Sequence, residues 1–294
     1  ERESEMLKKG QKLKSRMNKI QKLEEELNKS GGVVPFIGYE PSLLIPAGPM
    51  LSRDSGFILD CMGLTYKNPD SGQIFFSDLT FSLKPGMVVG IVGPNGIGKT
   101  TLLKIITKQL KPTKGEVRIS NQVLLGYIDQ TRQDLDPIRN VWEEILDGNQ
   151  LLQIKINERK TMAGREYVKQ FNFEGKSQEK LVSFLSGGER NRVYLAKCLR
   201  EGCNVLLLDE PSNDLDMDTL RKLEECMETF RGIVIVVSHD RYFLDRVCTN
   251  LIAFEKIIDN NSKNAVTKCQ WFDGNYSEYL RFKHMEANSS PNNE

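Results

Sequence analysis

Carboxylates crowd into the stretch VLLLDEPSNDLDMD. Four apolar residues, Val205 to Leu208, run straight into Asp209 and Glu210, and Asp214, Asp216 and Asp218 follow. A charge at the end of a buried strand is costly unless it meets water or something cationic. A metal ion carried by a phosphate ligand would be one such thing. Further upstream, the phosphate side of such a site is written out: after MVVGIV comes Gly93-Pro94-Asn95-Gly96-Ile97-Gly98-Lys99-Thr100, matching GxxxxGK[ST] in full. Its glycines let successive backbone N–H groups converge on phosphate oxygens. A helix opening at Lys99-Thr100-Thr101-Leu102 adds the positive end of its dipole. Lys99 is then placed to reach the β- and γ-phosphates of a nucleoside triphosphate, and the Thr100 hydroxyl to ligate Mg²⁺. Such a loop serves GTPases, kinases, helicases and transport ATPases alike.

A second glycine turn narrows the choice. Leu185-Ser186-Gly187-Gly188-Glu189-Arg190 opens a helical run in which Val193, Leu195, Ala196 and Leu199 form a mixed apolar stripe. Alone this is an ordinary helix start with Ser186 as N-cap, or an anion cradle. But LSGGE lies about 85 residues after the phosphate loop and about 20 before LLLDE. That order resembles the ATP-binding-cassette (ABC) ATPases, and the resemblance covers roughly residues 57 to 280.

The resemblance implies roles for named residues, with ATP and Mg²⁺ as ligands. In that family the signature of one cassette closes over the γ-phosphate held by a second, so Ser186, Gly187, Gly188 and Glu189 would act on a partner's ATP. Tyr66, about 27 residues before the phosphate loop, matches the aromatic that stacks on adenine. Gln130 in GYIDQ matches the glutamine that contacts Mg²⁺ and the attacking water. Asp209 matches the carboxylate on the Mg²⁺ side, and Glu210 the one that polarises the water. Ser212 to Asp216 fit the loop that crosses to the other cassette. His239, in IVIVVSHDR, matches the switch histidine on the γ-phosphate. Ile97 stands where the family usually has alanine, which alters packing beneath the loop.

Three classes of ABC protein compete. The chromosome- and repair-type ATPases need hundreds of residues of coiled coil between phosphate loop and signature, and the spacing here leaves no room for it. Between a membrane transporter's nucleotide-binding subunit and the two-cassette ABC-F ATPases that act on ribosomes, local wording favours the second. DEPSNDLDMDTLRKLEE, VSHDRYFLDRVCTNLIAFE and FDGNYSEYL are similar to ABC-F sequences. GYIDQ and LDP resemble the second cassette of the Uup-like branch, and MLKKGQKLKSRMNKIQKLEEEL resembles the end of its inter-cassette linker. The resemblance thus implies a C-terminal cassette that needs a second cassette for full activity, acts on the ribosome in translation, and resides in the cytoplasm or an organelle that holds the ribosome.

The elements that must position these residues read as α/β. Met87–Val92, Val205–Leu208 and Ile233–Val237 are continuous apolar runs, as in strands buried on both faces of a mostly parallel sheet. The family adds a P-loop NTPase fold with an antiparallel β subdomain and a helical signature subdomain over about 135–200. Before the cassette (57–284), residues 1–30 repeat Leu7, Leu13, Met17, Ile20, Leu23 and Leu27 at helical steps. Every charge from Lys8 to Lys22 in that segment is positive, which suits either a solvated face or contact with RNA phosphates. The Gly- and Pro-rich 31–56 reads as an extended linker, IIDNNSKNAVTK (257–268) as a surface loop, and 285–294 as a disordered tail.

Bulk properties only bound the answer. Forty-one Lys+Arg against 40 Asp+Glu give +1, which argues for no particular partner. No apolar run approaches the ~20 residues of a membrane span, and insertion into a membrane is not expected. The six cysteines lack metal-site spacing and read as reduced thiols. Two histidines are too few for a multi-histidine metal site. The chain begins at Glu1 without a signal-peptide pattern, as a fragment would.

Overall fold

The computed structural model describes residues 43–46, 48–49, 51, 57–129, 135–157, 160–211, 215–258 and 265–289. All belong to the unit Pro41–Glu294; the unit Glu1–Glu40, with the expected charged helix, lies outside them, as do Gln130 and Ser212 to Asp214. In chain order the elements are β1 (Leu59–Lys67), β2 (Ile74–Leu83), β3 (Val88–Val92), α1 (Lys99–Ile106), β4 (Lys114–Ile119), β5 (Leu125–Ile128) and α2 (Val141–Leu146). Then come β6 (Gln153–Lys155), β7 (Thr161–Ala163), α3 (Gly164–Lys169), α4 (Gly187–Arg200), β8 (Val205–Asp209) and α5 (Met217–Thr229). The chain continues through β9 (Ile233–Val237), α6 (Arg241–Val247), β10 (Asn250–Ile258), β11 (Ala265–Asp273) and α7 (Tyr276–Ser289).

A six-stranded sheet of order β11-β10-β3-β9-β8-β5 runs through the centre. It is parallel except for β11, which pairs antiparallel with β10. The apolar runs feed two cores at once, because successive side chains of a strand point to opposite faces. Leu206, Leu208, Val234 and Val236 face one core with the helices α2, α4 and α5. Val205, Leu207, Ile233 and Ile235 face the other, with α1 and a three-stranded antiparallel sheet of order β2-β1-β4.

Three stretches differ from the sequence reading. Leu43 and Ile45, placed in a linker by their Gly/Pro-rich surroundings, are 1% and 8% exposed and belong to the helical-side core. Its described residues form no regular element, yet the Gly48 amide donates to the Cys203 carbonyl at 3.1 Å and Asn204 Nδ2 donates to the Pro49 carbonyl at 2.9 Å. Local composition reports turns but not what apolar residues between them bury. The final helix runs to Ser289, past the expected start of a tail at 285, and β10 and β11 shorten the loop expected over 257–268. The helical subdomain also holds a small β6–β7 hairpin.

Candidate nucleotide site

The site lies beyond the carboxyl ends of three neighbouring parallel strands, where open α/β sheets hold ligands. β3 delivers residues 93–98, β8 delivers Asp209 and Glu210, and β9 delivers His239. Gly93 (φ 148°) and Gly98 (φ 118°) adopt backbone that other residues resist. A Cβ on Gly93 would lie 2.7 Å from the Phe254 carbonyl oxygen, and one on Gly98 2.8 Å from Phe75 Cβ. Ile97 is fully buried beneath the loop. The α1 N-terminus has no side-chain cap, so its first amides are matched by nothing on the helix itself.

Lys99 folds back over this loop: Nζ donates to the Gly93 carbonyl at 2.8 Å and the Pro94 carbonyl at 3.1 Å, and lies 3.3 Å from His239 Nε2. Burial lowers its pKa, opposed by the nearby charges of Glu210 and Asp209. Glu210 sits in left-handed backbone (φ 53°), a strained turn for a long side chain. That turn aims its carboxylate at His239: Oε2 accepts from the His239 amide at 3.1 Å, and Oε1 is 3.3 Å from Nε2. Asp209 is 3% exposed, and neither carboxylate oxygen has a hydrogen-bond partner. Burial pushes its carboxyl above the usual range, with the Thr100 hydroxyl the leading opposing influence.

These groups line one cleft of about 400 Å³, together with Asn95, Gly96, Gly98, Thr100 and Thr101. A cation loosely tied to backbone carbonyls, an uncapped helix start, and a buried unpartnered carboxylate beside a hydroxyl suit a polyphosphate with a hard cation. Among the described residues no cluster of His, Cys, Asp or Glu could alone hold a metal ion, so the phosphates and water would supply the remaining ligands. A second cleft, about 380 Å³, lies at Gly187, Arg190, Asn191 and Tyr194 and holds none of this chemistry.

Two groups of expected residues lie outside this cleft. Ser186, Gly187, Gly188 and Glu189 do not line the phosphate cleft within this chain. They build a closed helix start, in which the Glu189 amide donates to Ser186 Oγ at 3.2 Å and the Ser186 amide donates to Glu189 Oε2 at 2.7 Å. Tyr66 is 9% exposed, its ring packed against Phe75 and Phe76 at centroid distances of 5.9 and 6.4 Å. It sits opposite fully buried Phe76 in the β1–β2 ladder, which turns it inward. The aromatic facing the cleft is Phe75, which sequence reasoning missed. The signal was there: adjacent phenylalanines in one strand cannot both face the core.

With that geometry in place, an ABC transporter family model matches residues 76–213. EttA of Mycobacterium tuberculosis, an energy-dependent translational throttle protein, is 40% identical over 268 residues, 91% of this chain and 45% of that one. The chain belongs to the ABC ATPases. Its similarity to EttA, also 42% over 82% of the chain for the Escherichia coli K12 protein, supports the ABC-F branch for this cassette. The Uup ATP-binding protein of Haemophilus influenzae is 38% identical over 69% of the chain. The chain spans less than half the length of these curated relatives. The dimeric post-hydrolysis structure of the ATP-binding cassette MJ0796 bound to ADP and Pi is 26% identical, covering 67% of this chain and 94% of that one with a TM-score of 0.52. Ribosome-bound archaeal Pelota and ABCE1, 24% identical over 80% of this chain with a TM-score of 0.56, shares the cassette fold.

Proposed function

We propose that this chain is half of an ATP-driven switch. It binds ATP with Mg²⁺ in the cleft, hydrolyses it fully only when paired with a second cassette, and acts through that pairing on the ribosome in translation. The observation that carries the reading is the convergence of Lys99, Glu210, His239 and the unpartnered Asp209 carboxylate on one cleft.

Phosphoryl transfer to water asks little covalent chemistry of a protein and much alignment and charge neutralisation. Lys99 exchanges the Gly93 and Pro94 carbonyls for phosphate oxygens, and the free amides of α1 hold the same anion. Thr100 and Asp209, with Gln130 from outside the described residues, would hold Mg²⁺, which offsets charge on the β- and γ-phosphates. Glu210 orients the attacking water, and the His239 ring, already beside it, hydrogen-bonds the γ-phosphate. A carboxylate so placed need not be a strong base to polarise water.

Pairing with a second cassette is supported by the place of Ser186 and Gly188, away from this chain's own phosphate loop, and by the dimeric form of the MJ0796 cassette. The ribosome is supported by the relatives' names, and a cytoplasmic site of action follows with it. Among the described residues no helix is long and apolar enough to cross a membrane. The basic run from Lys8 to Lys22 would contact RNA; that part rests on residue types alone.

The test is Glu210→Gln in ribosome co-sedimentation with and without ATP, beside steady-state hydrolysis. Turnover should fall about 100-fold with ATP affinity retained, and ATP should drive the variant onto ribosomes. Hydrolysis at the wild-type rate would sink the role of Glu210. Sedimentation indifferent to ATP would sink the ribosomal part.

A further inference from the structure

From Leu79 to Gly115 the chain holds six lysines and no Asp or Glu, although its net charge is only +1. Lys99 belongs to the phosphate loop. Lys104, Lys108, Lys111 and Lys114 follow along α1 and the loop into β4, at the end of the helix away from the cleft. Lys104 lies in the last turn of α1. The chain then folds back, with the Gln109 and Leu110 amides donating to the Lys104 carbonyl at 2.9 and 3.1 Å. The loop is fastened to the end of β1. There the Thr113 amide donates to the Thr65 carbonyl at 2.8 Å, and the Lys67 amide to Thr113 Oγ1 at 2.9 Å.

Leu64 and Tyr66 turn into the core, so Thr65 and Lys67 face outward, and Lys114, paired with Thr65, shares their face. Lys67, Lys108, Lys111 and Lys114 are all exposed, and among the described residues none of the four forms an ion pair. The acids beside Lys114 on that face are taken, Glu116 by Arg118 and Asp60 by the Ser82 hydroxyl. Asp70 and Asp78 belong to the β1–β2 turn and to β2, across β1 from the loop. The helix dipole favours a cation at Lys104 and Lys108 but fades beyond the last turn. It gives no reason for Lys67, Lys111 and Lys114 to gather there. Like charges held together oppose folding slightly and attract a polyanion strongly.

The chemistry of the loop selects among polyanions. None of the exposed large hydrophobic side chains falls within 104–114, and lysine is depleted from protein–protein interfaces. Point charges on flexible stems, with Thr107, Gln109 and Thr113 between them as neutral donors, suit a row of phosphates and not base edges. We infer that Lys67, Lys108, Lys111 and Lys114 form a face that binds the phosphate backbone of RNA. The inference rests on the proposed function only in taking the ribosome as the source of that RNA.

Fluorescence anisotropy with a short labelled RNA duplex, on the full chain over a salt series, reads the patch directly. The test variant combines Lys108→Asn, Lys111→Gln and Lys114→Gln. Lys108 has left-handed backbone (φ 60°), which asparagine tolerates, and the other two positions are exposed, so the fold is kept. Affinity for the duplex near 0.1 M salt should fall about 30-fold, and log affinity against log salt should flatten by about 2.5. Arginine at the same three positions should keep both within about twofold. Both chains carry the same lysines over 8–22, so the difference belongs to the patch. Affinity for a fluorescent ATP analogue should be unchanged, because the patch and the phosphate loop lie at opposite ends of α1.

An unchanged salt slope would overturn the inference. So would tighter binding of the wild type to a DNA duplex of the same sequence, or a loss seen only with vesicles containing phosphatidylserine. Ribosome co-sedimentation separates this face from the wider reading. A wild-type chain that binds the duplex through these lysines but ignores ribosomes with ATP would sink the ribosomal part and leave the RNA face standing.

Discussion

Two glycine-rich turns open helices in this chain, and they treat the helix N-terminus in opposite ways. At α1 the cap position is Gly98, no side chain bonds the first amides, and no acid stands in the first turn. At α4 Ser186 and Glu189 form a complete capping box, and the Glu189 carboxylate is also held by Lys180 at 3.1 Å. Free helix amides beside a lysine bind an external anion readily. At α4 the resident carboxylate takes the Ser186 amide and the Ser186 hydroxyl takes the Glu189 amide, so an anion is held there only when other contacts bring it. The first turn is thus a preformed phosphate site, while the second offers a hydroxyl and little spare positive potential. In the proposed mechanism this difference makes binding a property of one chain and turnover a property of the pair.

The sharpest way to break the contrast is to disable each turn in turn. Lys99→Met should weaken ATP binding by at least about 100-fold, since it removes the only side-chain cation on the loop. Equilibrium titration with a fluorescent ATP analogue measures this. Ser186→Ala should leave that affinity within about twofold and lower turnover by about tenfold. It should also cost about 1 kcal/mol of stability through the lost cap. If both variants lose affinity alike, the two turns serve one nucleotide and the contrast fails.

Much of the first turn was legible in the sequence, because its chemistry is local. Eight consecutive residues name a phosphate loop, and an apolar run before them names the strand. His239 and Glu210 were also legible as companions in chain order, although their 3.3 Å approach depends on the strained backbone at Glu210. What escaped depends on contacts across the chain. Tyr66 and Phe75 differ in which face of a ladder they take, and only the pairing with β2 decides it. Leu43 and Ile45 sit among turn residues yet complete a core.

A smaller effect separates function from folding inside the first site. A buried, unpartnered carboxylate opposes folding once ionised, so Asp209→Asn should stabilise the nucleotide-free protein by about 1 kcal/mol. The sign follows from the raised pKa of Asp209. The penalty is absent below the unfolded value, grows as pH rises from there towards the raised folded value, and is complete above it. The gain should therefore be largest at mildly alkaline pH and shrink on acidification, as read by thermal melts across pH. The same variant should lose the Mg²⁺-dependent part of ATP affinity. A variant less stable than wild type at every pH would mean that Asp209 is satisfied by a partner in the folded chain.

The least effect is expected where the second turn is already satisfied. Burial works against charge on Glu189, but the Ser186 amide and Lys180 outweigh it and hold its carboxyl below the usual range. A lowered acid contributes stability above its unfolded value and loses it as pH falls through the folded one. Glutamine also completes a capping box, so Glu189→Gln should remove only the charge component, about 0.5 kcal/mol at neutral pH. The difference from wild type should vanish in acid, where both side chains are neutral; melts at the two pH values test it. Without its resident carboxylate, the second turn also comes to resemble the first. Paired cassettes carrying Glu189→Gln should then close on ATP slightly more tightly than wild type, by about twofold. Weaker closure would show that Glu189 holds the turn in the shape the partner's phosphate needs.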